Sequence, residues 1–149
     1  MFFQFWRMVD IWYIACSIVR RVTVTSDKIF LIVDNEIDMA DTVARVLRAV
    51  GFRCLVAYDG VKALALIDAE RPALVVSDIT MPIVDGFAVA RHARGKSPEI
   101  PVILMTAQHS PQVAREAQAV GVAGYLRKPF ANSELIAAVQ SALDPRRKK

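Results

Sequence analysis

The 149-residue chain is 54% apolar and 23% charged, with a mean hydropathy of +0.34. That length fits one domain plus a short appendage and argues against two full domains. The apolar share excludes intrinsic disorder, because enough surface can be buried to offset the ordering entropy. The formal charge of +4 is carried at the two ends: Arg7, Arg20 and Arg21 against Asp10 in residues 1–25, and Arg146, Arg147, Lys148 and Lys149 against Asp144 in 144–149, which leaves −1 for the body 26–143. A nucleic-acid surface would gather Lys and Arg on a recognition element, so no nucleic-acid partner is expected.

Residues 1–25 form an apolar, aromatic-rich extension that holds both tryptophans. Arg7 and Asp10 interrupt it, each costing roughly 2.5–3.5 kcal/mol near a bilayer centre, so it is a poor membrane span. The Arg20-Arg21 pair follows the apolar stretch instead of preceding it, which is the wrong order for a signal peptide. The favoured reading is a misassigned start, with the native protein beginning at Val22 or Val24. The alternative is an amphipathic helix with Gln4, Arg7, Asp10 and Ser17 along one side, and membrane contact is expected only in that case. Cys16 and Cys54 lack metal-ligand spacing and form no disulfide framework, so a reducing, cytoplasmic location is expected, with Cys54 in the core.

From Lys28 the pattern becomes regular. The unbroken apolar run 29–33 is too short for a helix and reads as a strand buried on both faces. Ile37, Ala40, Val43, Ala44, Leu47 and Val50 then recur at helical spacing and stop at Gly51, a residue suited to the left-handed position past a helix end. The alternation repeats as strand 54–57, helix 61–69, strand 73–76, helix 87–94, strand 102–105, helix 111–120, strand 124–126 and a last helix opening at Asn132 or Ser133. Pro72 and Gly86 mark boundaries, and Ser110 before Pro111 supplies an N-cap ahead of a first-turn proline.

Five strands alternating with five helices predict an α/β fold, a parallel sheet covered on both faces by right-handed crossovers. Ligands of such sheets bind beyond the carboxyl ends of the strands. There the first strand delivers Asp34, Asn35 and Glu36, the third Ser77 and Asp78, the fourth Thr106 and the fifth Lys128. A carboxylate cluster, a hydroxyl and an amine on one sheet edge have the composition of a phosphoryl-transfer site with a hard divalent cation.

In context, these residues resemble the receiver domain of two-component response regulators, and in particular its stand-alone, chemotaxis-regulator-like form. The segments that carry the resemblance are Val33-Asp34-Asn35-Glu36, Val75-Val76-Ser77-Asp78-Ile79-Thr80-Met81-Pro82, Asp85-Gly86, Val102-Ile103-Leu104-Met105-Thr106-Ala107 and Gly124-Tyr125-Leu126-Arg127-Lys128-Pro129-Phe130. The match covers about residues 27–143, and the receiver domain is bounded at 26–143 with a basic tail at 144–149. The resemblance implies the flavodoxin-like, doubly wound five-stranded sheet in strand order 2-1-3-4-5.

The resemblance also implies roles. Asp78 would accept a phosphoryl group from a phosphohistidine on a sensor histidine kinase or histidine phosphotransfer protein. Mg2+ would be held by Asp34, Asn35, Asp78 and the Thr80 backbone carbonyl. Thr106 and Lys128 would contact the phosphoryl oxygens, Thr106 and Tyr125 would form the switch, and Thr80 and Gln108 would tune hydrolysis. Lys128-Pro129 would be a cis peptide. The protein would be a phosphoacceptor signalling domain rather than an enzyme, limited to its own phosphoryl transfer and slow autodephosphorylation.

One departure stands out. Where the family usually has adjacent acids, this chain has Asp34 then Asn35, and an amide oxygen can ligate magnesium but brings no charge, so weaker metal affinity is expected. With only Asp144 to Lys149 after the last helix, the reading is a single-domain regulator acting on a downstream protein target or relaying the phosphoryl group. The rival reading is a degenerate receiver serving as a phosphorylation-independent interaction module. An aspartate-nucleophile phosphatase would need a second catalytic acid close after the nucleophile, and position 80 is threonine; no Gly-rich dinucleotide or Walker motif occurs. His92 and His109 read as isolated surface residues.

Overall fold

A computed structural model describes residues 28–147 of the chain. The expected elements form in the expected order: β1 (Ile29–Val33), α1 (Ile37–Ala49), β2 (Arg53–Ala57), α2 (Gly60–Glu70), β3 (Leu74–Asp78), α3 (Gly86–Arg94), β4 (Val102–Thr106), α4 (Pro111–Val120), β5 (Gly124–Arg127) and α5 (Asn132–Leu143), followed by a 3-10 turn at Pro145–Arg147. All four strand pairings are parallel, in the order β2-β1-β3-β4-β5. The readings of the 1–25 extension lie outside the described residues. Among the described residues, no helix is long and apolar enough to cross a membrane.

Side-chain alternation in the strands sorts the core into two layers, because successive residues point to opposite faces of a sheet. Phe30, Ile32, Leu74, Val76, Ile103 and Met105 pack with Ala40, Val43, Ala44 and Leu47 of α1 and Leu135, Val139 and Ala142 of α5. Leu31, Val33, Val75 and Leu104 pack on the other face with Ala63 and Ile67 of α2, Phe87, Val89, Ala90 and Ala93 of α3, and Ala117 of α4. Both faces of β1, β3 and β4 are therefore dry, as their continuous apolar runs require. At about 25 cal/mol per Å² of apolar surface removed from water, these layers hold the strand ends in register. Cys54, half-buried on the edge strand β2, is a free thiol pushed up to about 11 by burial.

The helix ends follow local chemistry. Ser110 Oγ accepts the Val113 N–H at 3.2 Å, as its place before Pro111 predicts, and the Asp59 and Asp85 carboxylates cap α2 and α3 by accepting the N–H groups of Lys62 (2.7 Å) and Ala88 (2.9 Å). Beyond α1, Gly51 adopts φ +102°, the left-handed region its position implied. Three strands run further than their apolar runs: β3 continues through Ser77 and Asp78, β4 through Thr106, and β5 through Arg127. The ladder carries these polar residues because Ser77 pairs with Val33 and Leu104, Asp78 with Met105, and Thr106 with Arg127.

Candidate functional site

The carboxyl ends of β1, β3, β4 and β5 bring the predicted residues together. Asp34, immediately after β1, is fully buried and tied to β2 by its own N–H donating to the Ala57 carbonyl at 3.2 Å. Asp78, the last residue of β3, is 6% exposed. The next residue, Ile79, is fixed from both sides, by its N–H donating to the Met105 carbonyl (3.0 Å) and the Gly86 N–H donating to its carbonyl (2.8 Å). Gly86 is required there: a Cβ on it would stand 2.3 Å from the Asp78 carbonyl oxygen and 2.7 Å from the Ile79 Cα. The intervening loop turns tightly at Ile83, where the Val84 N–H reaches the Pro82 carbonyl at 2.8 Å and φ is +70°. That conformation is unusual for a β-branched residue.

Lys128 connects the acids. Its backbone N–H donates to the Thr106 carbonyl at 2.7 Å, placing it beside the end of β4. Its ammonium donates to Asp34 Oδ2 at 2.8 Å and lies 3.3 Å from Asp78 Oδ1. The Lys128-Pro129 peptide is cis, as is Ser97-Pro98, which no sequence feature had singled out. The Glu36 backbone N–H donates to Asp34 Oδ1 at 2.9 Å, and the Glu36 side chain is exposed. Asn35, next to Asp34, and Thr80, two residues past Asp78, are exposed.

The electrostatics follow from that geometry. Burial pushes the Asp78 carboxyl above the usual carboxylate range and the Asp34 charge pushes the same way, with Lys128 only partly offsetting them. Burial on its own would lower the Lys128 ammonium, but its hydrogen bond to Asp34 and the charges of Asp78 and Asp34 outweigh this and leave it raised. Two buried carboxylates thus share one ammonium, an arrangement that an added cation would relieve.

The donor set suits magnesium. Asp34 and Asp78 bring two buried carboxylates to one ammonium, and magnesium typically takes one or two carboxylates and keeps several waters. Among the described residues no group of three acidic, histidine or cysteine side chains is arranged to hold a metal.

Thr106, 2% exposed, has its hydroxyl engaged with its own loop: Oγ1 donates to the Gln108 carbonyl (3.1 Å) and accepts the Gln108 N–H (3.0 Å). Tyr125 of β5 is half-buried, and burial raises its phenol above the ordinary value. The histidines depart from the sequence reading, which took both as isolated. His92 Nε2 lies 2.8 Å from Asp68 Oδ1 of α2, and His109 Nδ1 lies 3.0 Å from the Tyr125 hydroxyl. Both contacts cross between elements distant in sequence, and no spacing pattern could have signalled them.

Comparison with known proteins agrees with this architecture. Residues 30–140 match the family described as the response regulator receiver domain. Over 113 residues the chain is 36% identical to response regulator MprA of Mycobacterium tuberculosis, covering 76% of this chain and 49% of that protein; it thus spans about half the length of the curated relatives it matches. Among solved structures, chemotaxis protein CheY4 of Vibrio cholerae is similar with a TM-score of 0.73 and 32% identity, over 78% of this chain and 98% of that one. A response regulator of Burkholderia pseudomallei, whose structure contains a phosphorylated aspartic acid and a calcium ion, is similar with a TM-score of 0.69 and 25% identity, over 80% of this chain and 68% of that one. The family match, the relatives and the sheet order agree: the chain belongs to the response regulator receiver family of two-component systems.

Proposed function

We propose that this receiver accepts a phosphoryl group on Asp78 from a phosphohistidine on a sensor histidine kinase or a histidine phosphotransfer protein, and that it signals to a downstream protein or passes the group on. The observation that carries the reading is the Asp34–Lys128–Asp78 cluster: a buried carboxylate at a strand end, beside a second acid and an ammonium within 3.3 Å.

An Asp78 carboxylate oxygen attacks phosphorus, the P–N bond of the donor breaks, the released imidazole takes up a proton, and an acyl phosphate remains on Asp78. A carboxylate is a weak nucleophile toward an anionic phosphoryl group, so positioning and charge neutralisation supply the catalysis. Magnesium, when held by Asp34, Asn35, Asp78 and the Thr80 carbonyl, supplies neutralisation at the phosphoryl oxygens. Lys128 is near enough to Asp78 to pair with the added charge, and Thr106 Oγ1 can donate to a phosphoryl oxygen once it leaves the Gln108 carbonyl. Thr80 and Gln108, both exposed and two residues beyond Asp78 and Thr106, would control access of the water that hydrolyses the acyl phosphate. Ile37, Val61 and Ile83, exposed on the loops and helix starts at the same sheet edge, give a donor protein apolar surface to cover. We place the protein in the cytoplasm, where sensor kinases present their phosphohistidines.

Titration with beryllofluoride in magnesium, followed by amide NMR, tests this reading. Saturable shifts are expected around Asp34, Asp78, Thr106 and Lys128, and none in Asp78→Asn. A wild-type protein that does not respond would favour the phosphorylation-independent module, the reading that Asn35 motivates.

A further inference from the structure

The loop between β4 and α4, residues 107–110, touches the proposed switch twice. The Gln108 backbone engages both the proton and a lone pair of the Thr106 hydroxyl. One residue on, His109 Nδ1 is 3.0 Å from the Tyr125 hydroxyl, with the rings 5.6 Å apart and inclined at 58°. The two residues are sixteen positions apart and come from a loop and a strand, so the contact forms only where the loop folds back over β5. Imidazole and phenol are complementary in either protonation state: neutral Nδ1 accepts the phenolic proton, and a protonated Nδ1–H donates to the phenol oxygen.

We propose that His109 is a positioning residue that holds Tyr125 in the orientation seen here, so that this hydrogen bond must break before the tyrosine can turn toward Thr106. The inference rests on the reading of Tyr125 as the switch residue and deepens it: the same short loop restrains the Thr106 hydroxyl through its backbone and the Tyr125 hydroxyl through a side chain. A conformational equilibrium shifts only by the difference in free energy between its states. An exposed neutral hydrogen bond is worth a low net amount, so loss of the latch should raise the turned-in population roughly two- to fivefold. It should tighten the apparent affinity for any ligand selecting that state by the same factor.

The test is a double-mutant cycle on the full chain, reading the beryllofluoride dissociation constant in saturating magnesium for wild type, His109→Phe, Tyr125→Phe and the double variant, with the Tyr125 ring followed by 13C-tyrosine NMR. His109→Phe keeps an aromatic ring but has no nitrogen to offer. It is expected to bind about two- to fivefold tighter and to move the ligand-free Tyr125 resonance toward its bound position. His109→Asn, which keeps an acceptor near the Nδ1 position, should return both values toward wild type. In the Tyr125→Phe background, His109→Phe should have no effect. An equal effect with and without the Tyr125 hydroxyl, or no effect while the Tyr125 resonance still responds to beryllofluoride, would overturn the latch alone. Failure of the wild type to bind, or of Tyr125 to respond, would overturn the switch reading and the latch with it.

Discussion

The buried Asp78 carboxylate has a consequence for stability. Its folded-state pKa is raised by burial and by Asp34, so ionising it costs the folded protein more than the unfolded chain. The cost is absent below the ordinary carboxylate pKa of about 3.9, grows as pH rises toward the raised value, and is fully present above it. Asp78→Asn keeps the shape and removes the charge, while Lys128 keeps its 2.8 Å contact with Asp34. The variant should therefore melt higher than wild type at pH 7, with the advantage vanishing in acid; a lower midpoint at pH 7 would refute this electrostatic account. Asn35 makes a second residue-level prediction. Restoring a charge with Asn35→Asp should tighten magnesium on the order of tenfold, since a carboxylate near a divalent ion gains appreciable Coulomb energy even in water-like surroundings. Unchanged affinity in a calorimetric titration would remove Asn35 from the ligand set. Asp34, Asp78, Thr106 and Lys128 were legible in the sequence because each follows a recognisable strand and the parallel topology carries every strand end to one edge. The His109–Tyr125 and His92–Asp68 contacts were not, because each depends on where one element lies against another, which no local pattern encodes.

At the scale of elements, the close approach of α3 to the end of β3 is the sharpest constraint. Gly86 is the first residue of α3, and the space a Cβ would need is filled by the Asp78 and Ile79 backbone. Backbone cannot give way as a flexible side chain can, so Gly86→Ala should destabilise the fold by about 1–3 kcal/mol and also weaken magnesium binding by displacing Asp78. Chemical denaturation with a magnesium titration on the folded protein checks both; a variant as stable as wild type with unchanged magnesium affinity would contradict the stated packing. Element identity and order were readable from periodicity alone, with β1 and α4 bounded as expected. Bounds differ by one residue at the starts of β2, β3 and α3 and at both ends of α2, and the differences that bear on the site are at the ends of β3, β4 and β5, where an apolar criterion stops at Val76, Met105 and Leu126 although the ladder runs on through Ser77-Asp78, Thr106 and Arg127. The missed residues are largely those with chemistry to perform: a strand that delivers polar groups to a site must end in residues that do not read as strand.

For the whole molecule, the sheet separates stability from function. Its two faces are sealed by the α1–α5 and α2–α3–α4 layers, and buried side chains with charge or a hydroxyl collect at one edge: Asp34, Ser77, Asp78 and Thr106. A cation binding the folded site should stabilise the whole fold through linkage. Magnesium at ten times its dissociation constant should add about 1.4 kcal/mol, and thermal denaturation with and without the ion, repeated on Asp78→Asn, reads it. The central claim is that Asp78 accepts a phosphoryl group. It is tested most directly by intact-protein mass after incubation with magnesium and a small acyl phosphate, run beside Asp78→Ala. The account predicts one phosphoryl adduct on the wild type, dependent on magnesium and absent from the variant. No adduct on the wild type at high magnesium, or an equal adduct on Asp78→Ala, would contradict it.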